Sequence, residues 1–235
     1  MFAKASIDGS FLYERKIYMI IEELKITDKE YPQNLKEIYD SPKSIYVLGN
    51  KHLLNKTGIA IVGSRDATQY GKYISSKIAR ELSEKGINII SGLAIGIDKY
   101  AHIGALQQNK GKTIAVLGSG IDQLYPKQNI ELARKIIRSG GCIISEYPIG
   151  TKPDKKNFPQ RNRIISGISQ GILVVEAGEK SGALITAEFG LEQGKEIFAI
   201  PGDITKKQSK GCNLLIRDGA KVVLSSQDIL DEIII

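Results

Sequence analysis

The chain has 235 residues, of which 42% are hydrophobic, and its 33 Lys and Arg against 26 Asp and Glu give a formal net charge of +7. This apolar content supports the core of one large α/β domain, and the basic balance favours a polyanionic partner. Because no apolar run approaches the ~20 residues of a membrane span and the N-terminus lacks the order of a signal peptide, we expect a cytoplasmic protein that makes no membrane contact.

Residues 1–57 are expected to form an extension that packs on the main domain. They contain a predicted helix around residues 14–24 and two turn-like steps, Tyr31-Pro32 and Ser41-Pro42. Their apolar content is too small for an independent core. The main domain is therefore expected to span residues 58–235.

From residue 58 onward, short β-branched runs alternate with amphipathic segments. The predicted strands are residues 59–63, 87–91, 113–118, 142–146, 172–176, 197–201 and 221–224. The predicted helices between them include residues 70–85, 98–108, 130–138 and 184–192. Near-continuous apolar strands separated by helices are typical of a parallel sheet covered on both faces. The sequence therefore predicts an α/β fold with a doubly wound, mostly parallel, Rossmann-like sheet.

The loops that follow the predicted strands are rich in glycine and hydroxyl side chains. Three of them contain Gly63-Ser64-Arg65, Ser91-Gly92 and Ser181-Gly182. Ligands of open α/β sheets bind outside the carboxyl ends of the strands. Glycine lets backbone N–H groups turn toward an anion, hydroxyls donate further hydrogen bonds, and an arginine can donate two bonds to one phosphate. These loops therefore predict a phosphate-binding edge.

The usual signatures of a bound nucleotide are missing. The Gly118-x-Gly120 pair lacks the third glycine of the dinucleotide fingerprint and follows the third strand of the main domain. The Gly190-x-x-x-Gly194-Lys195 run is one residue too short for a Walker A loop and continues without a hydroxyl. The two cysteines belong to no Cys/His cluster, so we expect free thiols. We expect neither a cofactor nor a metal.

Basic residues surround one aromatic ring in the segment before the fifth strand. These residues are Lys155, Lys156, Phe158, Arg161 and Arg163. Pro159 suits the first position of a helix, so both arginines fall near a helix beginning, where each added cation costs about 0.3–1 kcal/mol. An external anion would offset that cost. Cations beside a ring are typical of single-stranded nucleic-acid binding, in which a base stacks on the ring and stabilises the complex by ~1–3 kcal/mol.

The chain resembles the DNA-processing protein A (DprA, or Smf) family along residues 45–232. The motifs that carry the resemblance are Gly63-Ser64-Arg65, Ser91-Gly92-x-Ala94-x-Gly96-Ile97-Asp98, Ser145-Glu146-Tyr147-Pro148, Phe158-Pro159-x-Arg161-Asn162-Arg163-Ile164-Ile165, Ser181-Gly182-x-Leu184-Ile185-Thr186-Ala187 and Gly211-x-Asn213-Leu214-Leu215-Ile216. Many members of that family carry a fuller N-terminal helical domain and a C-terminal winged-helix domain. Compared with them, we expect a shortened N-terminal extension and no winged helix here.

The resemblance implies a homodimeric protein that binds single-stranded DNA and catalyses no reaction. Such a protein protects incoming DNA during natural transformation and loads a RecA-type recombinase onto it. Together with the residue patterns, the resemblance implies a DNA or phosphate site. Its expected members are Gly63, Ser64, Arg65, Ser91, Gly92, Lys155, Lys156, Phe158, Arg161, Asn162, Arg163, Ser181, Gly182 and Thr186.

Two alternatives stay open at this point. Similar sheets occur in nucleotide phosphoribohydrolases, which act on nucleoside monophosphates, and the carboxylates Asp98, Glu146 and Glu176 stand near strand ends here. The phosphate loop of those enzymes is missing, and Asp98 and His102, four residues apart, are expected to have a structural role. The apolar residues 229–235 near the end of the chain either enter the core or form a dimer contact.

Overall fold

The computed structural model describes residues 20–233, and these form one sheet with helices on both faces. The strands are β1 (Ile21–Lys25), β2 (Ser44–Gly49), β3 (Gly58–Val62), β4 (Asn88–Ser91), β5 (Thr113–Leu117), β6 (Cys142–Ser145), β7 (Gly171–Val174), β8 (Glu196–Ala199) and β9 (Lys221–Val222). The helices are α1 (Gln33–Lys36), α2 (Gln69–Glu84), α3 (Ile97–Ala105), α4 (Ile130–Arg138), α5 (Asn157–Gly167), α6 (Gly182–Glu192), α7 (Lys210–Arg217) and α8 (Ser226–Leu230).

The sheet has the order β1-β2-β6-β5-β4-β3-β7-β8-β9. All pairs from β6 to β9 are parallel, whereas β2 runs antiparallel to both of its neighbours. Chain order reverses direction across the sheet beside β3, so the doubly wound, mostly parallel prediction is confirmed. All seven strands predicted for the main domain are present; β4 ends at the predicted residue, and the other six end one or two residues earlier than predicted.

Alternate residues of the central strands enter separate cores. On β3, Ile59 and Ile61 pack under α2 and α3, whereas Ala60 and Val62 face the core formed with α5 and α6. All four side chains are 4% exposed or less. Burial on both faces explains why this strand is an unbroken apolar run rather than an alternating one.

The N-terminal part differs from the prediction. Residues 21–24 of the predicted helix 14–24 belong to strand β1, while residues 14–19 lie outside the described part of the chain. Ile21 and Leu24 are spaced as on a helix, and both are buried. However, β1 pairs with β2 over five residues, and β2 pairs with β6, so sheet pairing overrides the local pattern. The division at residue 57 stays a prediction, because the same sheet continues across it.

The apolar stretch near the C-terminus enters the core. Ile229 is fully buried, Ile233 is 9% exposed, and Leu230 packs beside them against α2 and β8 residues. Residues 234 and 235 lie outside the described range. Of the two alternatives for this stretch, the structure shows the core position. Within residues 20–233, no helix combines the length and apolar character needed to cross a bilayer.

Candidate nucleic-acid interface

A groove of about 620 Å³ opens at the carboxyl ends of the central strands, between the loop after β3, the start of α5 and the start of α6. It contains ten of the fourteen residues predicted for the site. These are Gly63, Ser64, Arg65, Lys155, Phe158, Arg161, Asn162, Ser181, Gly182 and Thr186. The remaining lining residues include Asp66, Ala94, Asp98, Tyr125, Pro159 and Ile185. The sheet topology thus collects loops that are more than a hundred residues apart in the chain.

Phe158 lies at the centre of a cluster of rings and guanidinium groups. The Arg65 guanidinium carbon lies 5.5 Å from the ring centroid, and that of Arg161 lies 6.0 Å from it. The Tyr125 ring lies at 5.7 Å with an interplanar angle of 45°. Phe158 is only partly buried and lines the open groove. A flat apolar surface therefore stands beside cations, which suits a stacked base with a phosphate on either side.

Arg161 is held from behind by main-chain oxygens. Its side chain is 4% exposed, and Nη1 donates to the carbonyl oxygens of Gly92, at 2.8 Å, and of Val116. A Cβ on Gly92 would lie 2.5 Å from Nη2, so a larger residue there would displace the guanidinium group from these oxygens. Arg161 thereby fastens the start of α5 to the ends of β4 and β5. Its hydrogen-bonding capacity is largely used inside the protein.

Asp98 compensates the buried charge of Arg161. Its carboxylate accepts the N–H groups of Gly92, at 3.1 Å, and of Ala94, at 3.4 Å. Burial raises the pKa of Asp98, and the neighbouring Arg161 opposes that rise. Burial lowers the pKa of Arg161 to about 10, against the attraction of Asp98. Arg161 therefore stays charged at neutral pH, and the anion it needs is partly supplied by the protein.

The structure does not bring Arg163 into the groove. Its Nη1 and Nη2 donate to the two carboxylate oxygens of Glu146 at 3.0 and 2.7 Å, and Nε donates to Asp40 Oδ2 at 3.0 Å. The Arg163 side chain is 10% exposed and that of Glu146 is 14% exposed. Bidentate pairing of this kind is strong and geometrically specific. Two carboxylates of the protein thus occupy the position where the sequence predicted an external anion.

Three other predicted residues also lie outside the groove. The buried Ser91 hydroxyl donates to the Ile61 carbonyl oxygen at 2.6 Å. Gly92 lies behind Arg161 and lines a smaller neighbouring cavity. Lys156 is 79% exposed, and its Nζ lies 3.9 Å from Asp154. Ser91 and Gly92 therefore support the site, while Lys156 stands beside it.

The first N–H groups of α2 and of α6 have different hydrogen-bond partners. The Glu176 carboxylate accepts the N–H and the hydroxyl of Thr68 at the start of α2, so an internal anion occupies that position. At α6, the Ser181 hydroxyl accepts the Ala183 N–H at 3.3 Å, and Gly182 faces open space. Asn162 Nδ2 donates to the Gly182 carbonyl oxygen at 3.2 Å, which connects α5 with α6. Of these two beginnings, that of α6 faces the groove.

Tyr125 is the main groove residue that the sequence reasoning missed. It lies in the loop after β5 and is 46% exposed. Its position after the third predicted strand of the main domain, beside a Gly-x-Gly pair, was the available signal. An exposed aromatic residue at the carboxyl edge of the sheet is itself an indication of a stacking surface.

His102 has a structural position. It is fully buried on α3, and Nδ1 lies 2.7 Å from the Thr113 hydroxyl, which donates to the Ile89 carbonyl oxygen at 2.8 Å. Burial, and to a lesser extent Arg161, lowers the pKa of His102 to about 3. The imidazole is therefore neutral in the folded protein at physiological pH. Both cysteines are buried free thiols, as predicted.

The depressed pKa of His102 predicts a loss of stability on acidification. An unfolded histidine binds a proton near pH 6.5, whereas this one stays neutral down to about pH 3. In that pH window the unfolded state therefore binds more protons than the folded state does. The contribution of the neutral His102 to folding stability is complete above about pH 6.5 and is lost progressively as the pH falls toward about 3. We expect His102→Gln to have a shallower decline than the wild type, by up to ~1.4 kcal/mol per pH unit, in urea titrations. A decline in His102→Gln as steep as that of the wild type would contradict this role of the buried imidazole.

Comparison with known proteins agrees with this fold. A family model described as DNA recombination-mediator protein A matches residues 22–234. The chain is 44% identical over 214 residues to the DNA processing protein DprA of Bacillus subtilis, covering 91% of this chain and 71% of that one. It is 44% identical over 203 residues to the protein Smf of Escherichia coli, of which it spans 54%.

Two solved structures are similar to this chain in both sequence and fold. The X-ray structure of DprA from Streptococcus pneumoniae has a TM-score of 0.86 and 45% identity, covering 92% of this chain and 75% of that chain. The structure of DNA processing protein A from Helicobacter pylori, which describes the single-stranded DNA binding mode of that protein, has a TM-score of 0.80 and 30% identity. The match covers 90% of this chain and 94% of that chain. The chain is a member of the DNA recombination-mediator protein A (DprA) family.

Proposed function

We propose that the groove binds single-stranded DNA. The observation that supports this most directly is the Phe158 ring, partly exposed in an open groove and flanked by Arg65 and Arg161. A base stacks on the ring while Arg65 and Lys155, both exposed, contact the adjoining phosphates. The relative from Helicobacter pylori, described as a single-stranded DNA binder, supports the same assignment.

The binding is independent of base sequence. Every base has a face that stacks on an aromatic ring, and cations follow the sugar-phosphate backbone whatever the base. Counterions are released as Lys and Arg neutralise phosphates, so the affinity falls as the salt concentration rises. A duplex hides its base faces and cannot stack on Phe158, which makes the groove selective for single strands.

The groove binds DNA without catalysing a reaction. The carboxylates that would serve a phosphoribohydrolase are engaged inside the protein: Asp98 with backbone N–H groups, Glu146 with Arg163, and Glu176 with Thr68. A carboxylate held in this way is poorly placed to act as a general base. A titration that compares single-stranded, double-stranded and mononucleotide competitors tests this choice. Release of a free base from nucleoside monophosphates would contradict it.

Family membership supports the last part of the proposal, which is the cellular role. The protein protects single strands during natural transformation and helps to load a RecA-type recombinase, acting as a homodimer in the cytoplasm. The buried Ile229 and Ile233 belong to the core of one copy, so the dimer contact lies on another surface. Light scattering of the full chain tests the dimer, and strand-exchange assays with the host recombinase test the loading.

Arg65→Ala is expected to weaken the binding of oligothymidine. Arg65 is exposed at the end of β3, so its loss removes a phosphate contact and leaves the core intact. The slope of log affinity against log salt should become shallower by about 0.7, the value for one single-strand phosphate contact. Fluorescence anisotropy over a series of salt concentrations measures both effects. Arg80→Ala, which removes an exposed arginine from the middle of α2, is the matched control and should change neither.

A further inference from the structure

A second cleft adjoins the groove on its α7 side. It has a volume of about 500 Å³ and is formed by the loop after β7, the turn before α7 and the loop after β3. Its lining residues are Ser64, Asp66, Gly178, Glu179, Lys180, Ser181, Lys207, Gln208 and Lys210. Ser64, Asp66 and Ser181 also line the groove. The two depressions therefore adjoin each other along these three residues.

We infer that this second cleft, through Lys180, Lys207 and Lys210, binds the phosphates of the DNA segment that leaves the groove. The inference rests on the proposed function, because the groove positions the strand. None of the cleft's lining residues is aromatic, so it offers no surface on which a base can stack. Its contacts are therefore with the backbone, and the bases of that segment stay in solvent.

Main-chain hydrogen bonds hold the turn that carries Lys207 and Lys210 against the loop after β7. The Ala177 N–H donates to the Gln208 carbonyl oxygen, and the Gly211 N–H donates to the Ala177 carbonyl oxygen, both at 2.7 Å. A Cβ on Gly211 would lie 2.8 Å from that same Ala177 oxygen, so only glycine permits this contact. The turn before α7 is thus fastened to the loop after β7. Lys207 and Lys210, three residues apart around this turn, are held on the cleft wall.

The charges of the cleft are only partly compensated. Three lysines face Asp66 and Glu179, and the one ion pair described among these residues joins Lys210 Nζ to Glu179 Oε1 at 3.5 Å. Both side chains of that pair are about half exposed, 50% and 58%, so the pair is weak. In addition, α7 begins with Lys210 and has no acidic residue in its first turn. A cation at a helix beginning is unfavourable until an anion joins it, which a phosphate does.

The test is the dependence of affinity on DNA length. The variant Lys180→Ala/Lys207→Ala/Lys210→Ala is titrated with oligothymidines from about 4 to about 16 nucleotides, the range of site sizes of single-strand binding folds. We expect the shortest oligomers to bind with wild-type affinity, because they occupy the groove alone. The longest should bind more weakly, with a salt slope shallower by about 2, since each lost phosphate contact contributes about 0.7.

A matched control removes three lysines from the opposite edge of the sheet. Lys56, Lys85 and Lys110 are exposed and precede β3, β4 and β5, at the amino ends of these strands. Their triple alanine variant has the same net charge as the cleft variant. It should bind all lengths like the wild type. If both triple variants weaken long oligomers equally, the effect is one of overall charge and the inference is wrong.

A second variant changes the affinity in the opposite direction. Glu179→Gln releases Lys210 from its ion pair and removes a negative charge from the cleft. Long oligomers should then bind roughly 1.5- to 5-fold more tightly, the range set by an exposed ion pair, while the shortest are unaffected. Wild-type length dependence in both cleft variants would overturn the inference and leave the groove assignment standing. Failure of the wild type to bind any oligomer would instead overturn the proposed function.

Discussion

Replacing Phe158 with alanine is expected to weaken single-stranded DNA binding by roughly 5- to 150-fold, which corresponds to the ~1–3 kcal/mol of one base stacked on an aromatic ring. The ring is the only phenylalanine among the lining residues of the groove, and two guanidinium groups lie within 6.0 Å of its centroid. Since the ring makes no phosphate contact, the salt slope should not change. Anisotropy titrations of oligothymidine at several salt concentrations measure both quantities.

Two variants separate stacking from other effects at this position. Phe158→Tyr keeps an aromatic face and should retain most of the affinity. Phe189→Ala removes a partly buried phenylalanine from α6 that lines a different cavity, beside Asp40 and Lys195. It should bind DNA like the wild type. An affinity of Phe158→Ala equal to that of the wild type, in a protein with unchanged stability, would exclude a stacking role for the ring.

Glu146→Ala is expected to lower the stability of the fold by about 3 kcal/mol and its Tm by roughly 6–12 °C. The carboxylate makes both bonds of a bidentate pair with Arg163, and both side chains are less than 15% exposed. Truncation leaves a largely desolvated guanidinium that retains Asp40, which is 76% exposed, as its remaining carboxylate partner. Urea and thermal unfolding measure the loss.

Measurements of DNA binding distinguish this loss of stability from a role of Arg163 in the groove. Because Arg163 lies outside the groove, Glu146→Ala and Arg163→Ala should bind oligothymidine normally at temperatures where they are folded. The double variant Glu146→Leu/Arg163→Met removes both charges and should recover part of the stability, since apolar replacements of a buried pair are often neutral or stabilising. A folded Arg163→Ala protein with weakened binding and a shallower salt slope would instead place Arg163 on the DNA.

The partners of Arg161 and Arg163 come from distant parts of the chain. The helix α5 begins at Asn157, two residues before the start at Pro159 that the sequence predicts, so Arg161 and Arg163 are its fifth and seventh residues and lie beyond the first turn, where a cation is unfavourable. The sequence alone predicts an external anion beside these arginines, but the structure supplies Asp98 near Arg161 and Glu146 and Asp40 beside Arg163. Asp40 is 123 residues away in the chain, and no local pattern indicates that it reaches α5. The open cations are instead Arg65 and Lys155.

The strands of the main domain and the edge at which the groove lies follow from sequence alone. Buried parallel strands must be apolar at nearly every position, and glycine and hydroxyl residues follow them where the chain turns toward the ligand edge. This requirement applies to each strand separately, so the strands can be predicted without knowing which strands lie beside them in the sheet. Strand β1 is the exception, because Ile21 and Leu24 suit either a helix or a strand and only pairing with β2 decides between them.

The sequence by itself determined the fold class, the family and most of the groove residues, since apolar periodicity and short motifs are local properties of the chain. Tertiary structure decided what each side chain does there. Arg161 and Arg163 are two residues apart, which is about 200° around a helix, so one lines the groove and the other meets Glu146 on the far side. Charge compensation depends on which distant residues the fold brings within bonding distance, and that information lies in the packing of the sheet and helices.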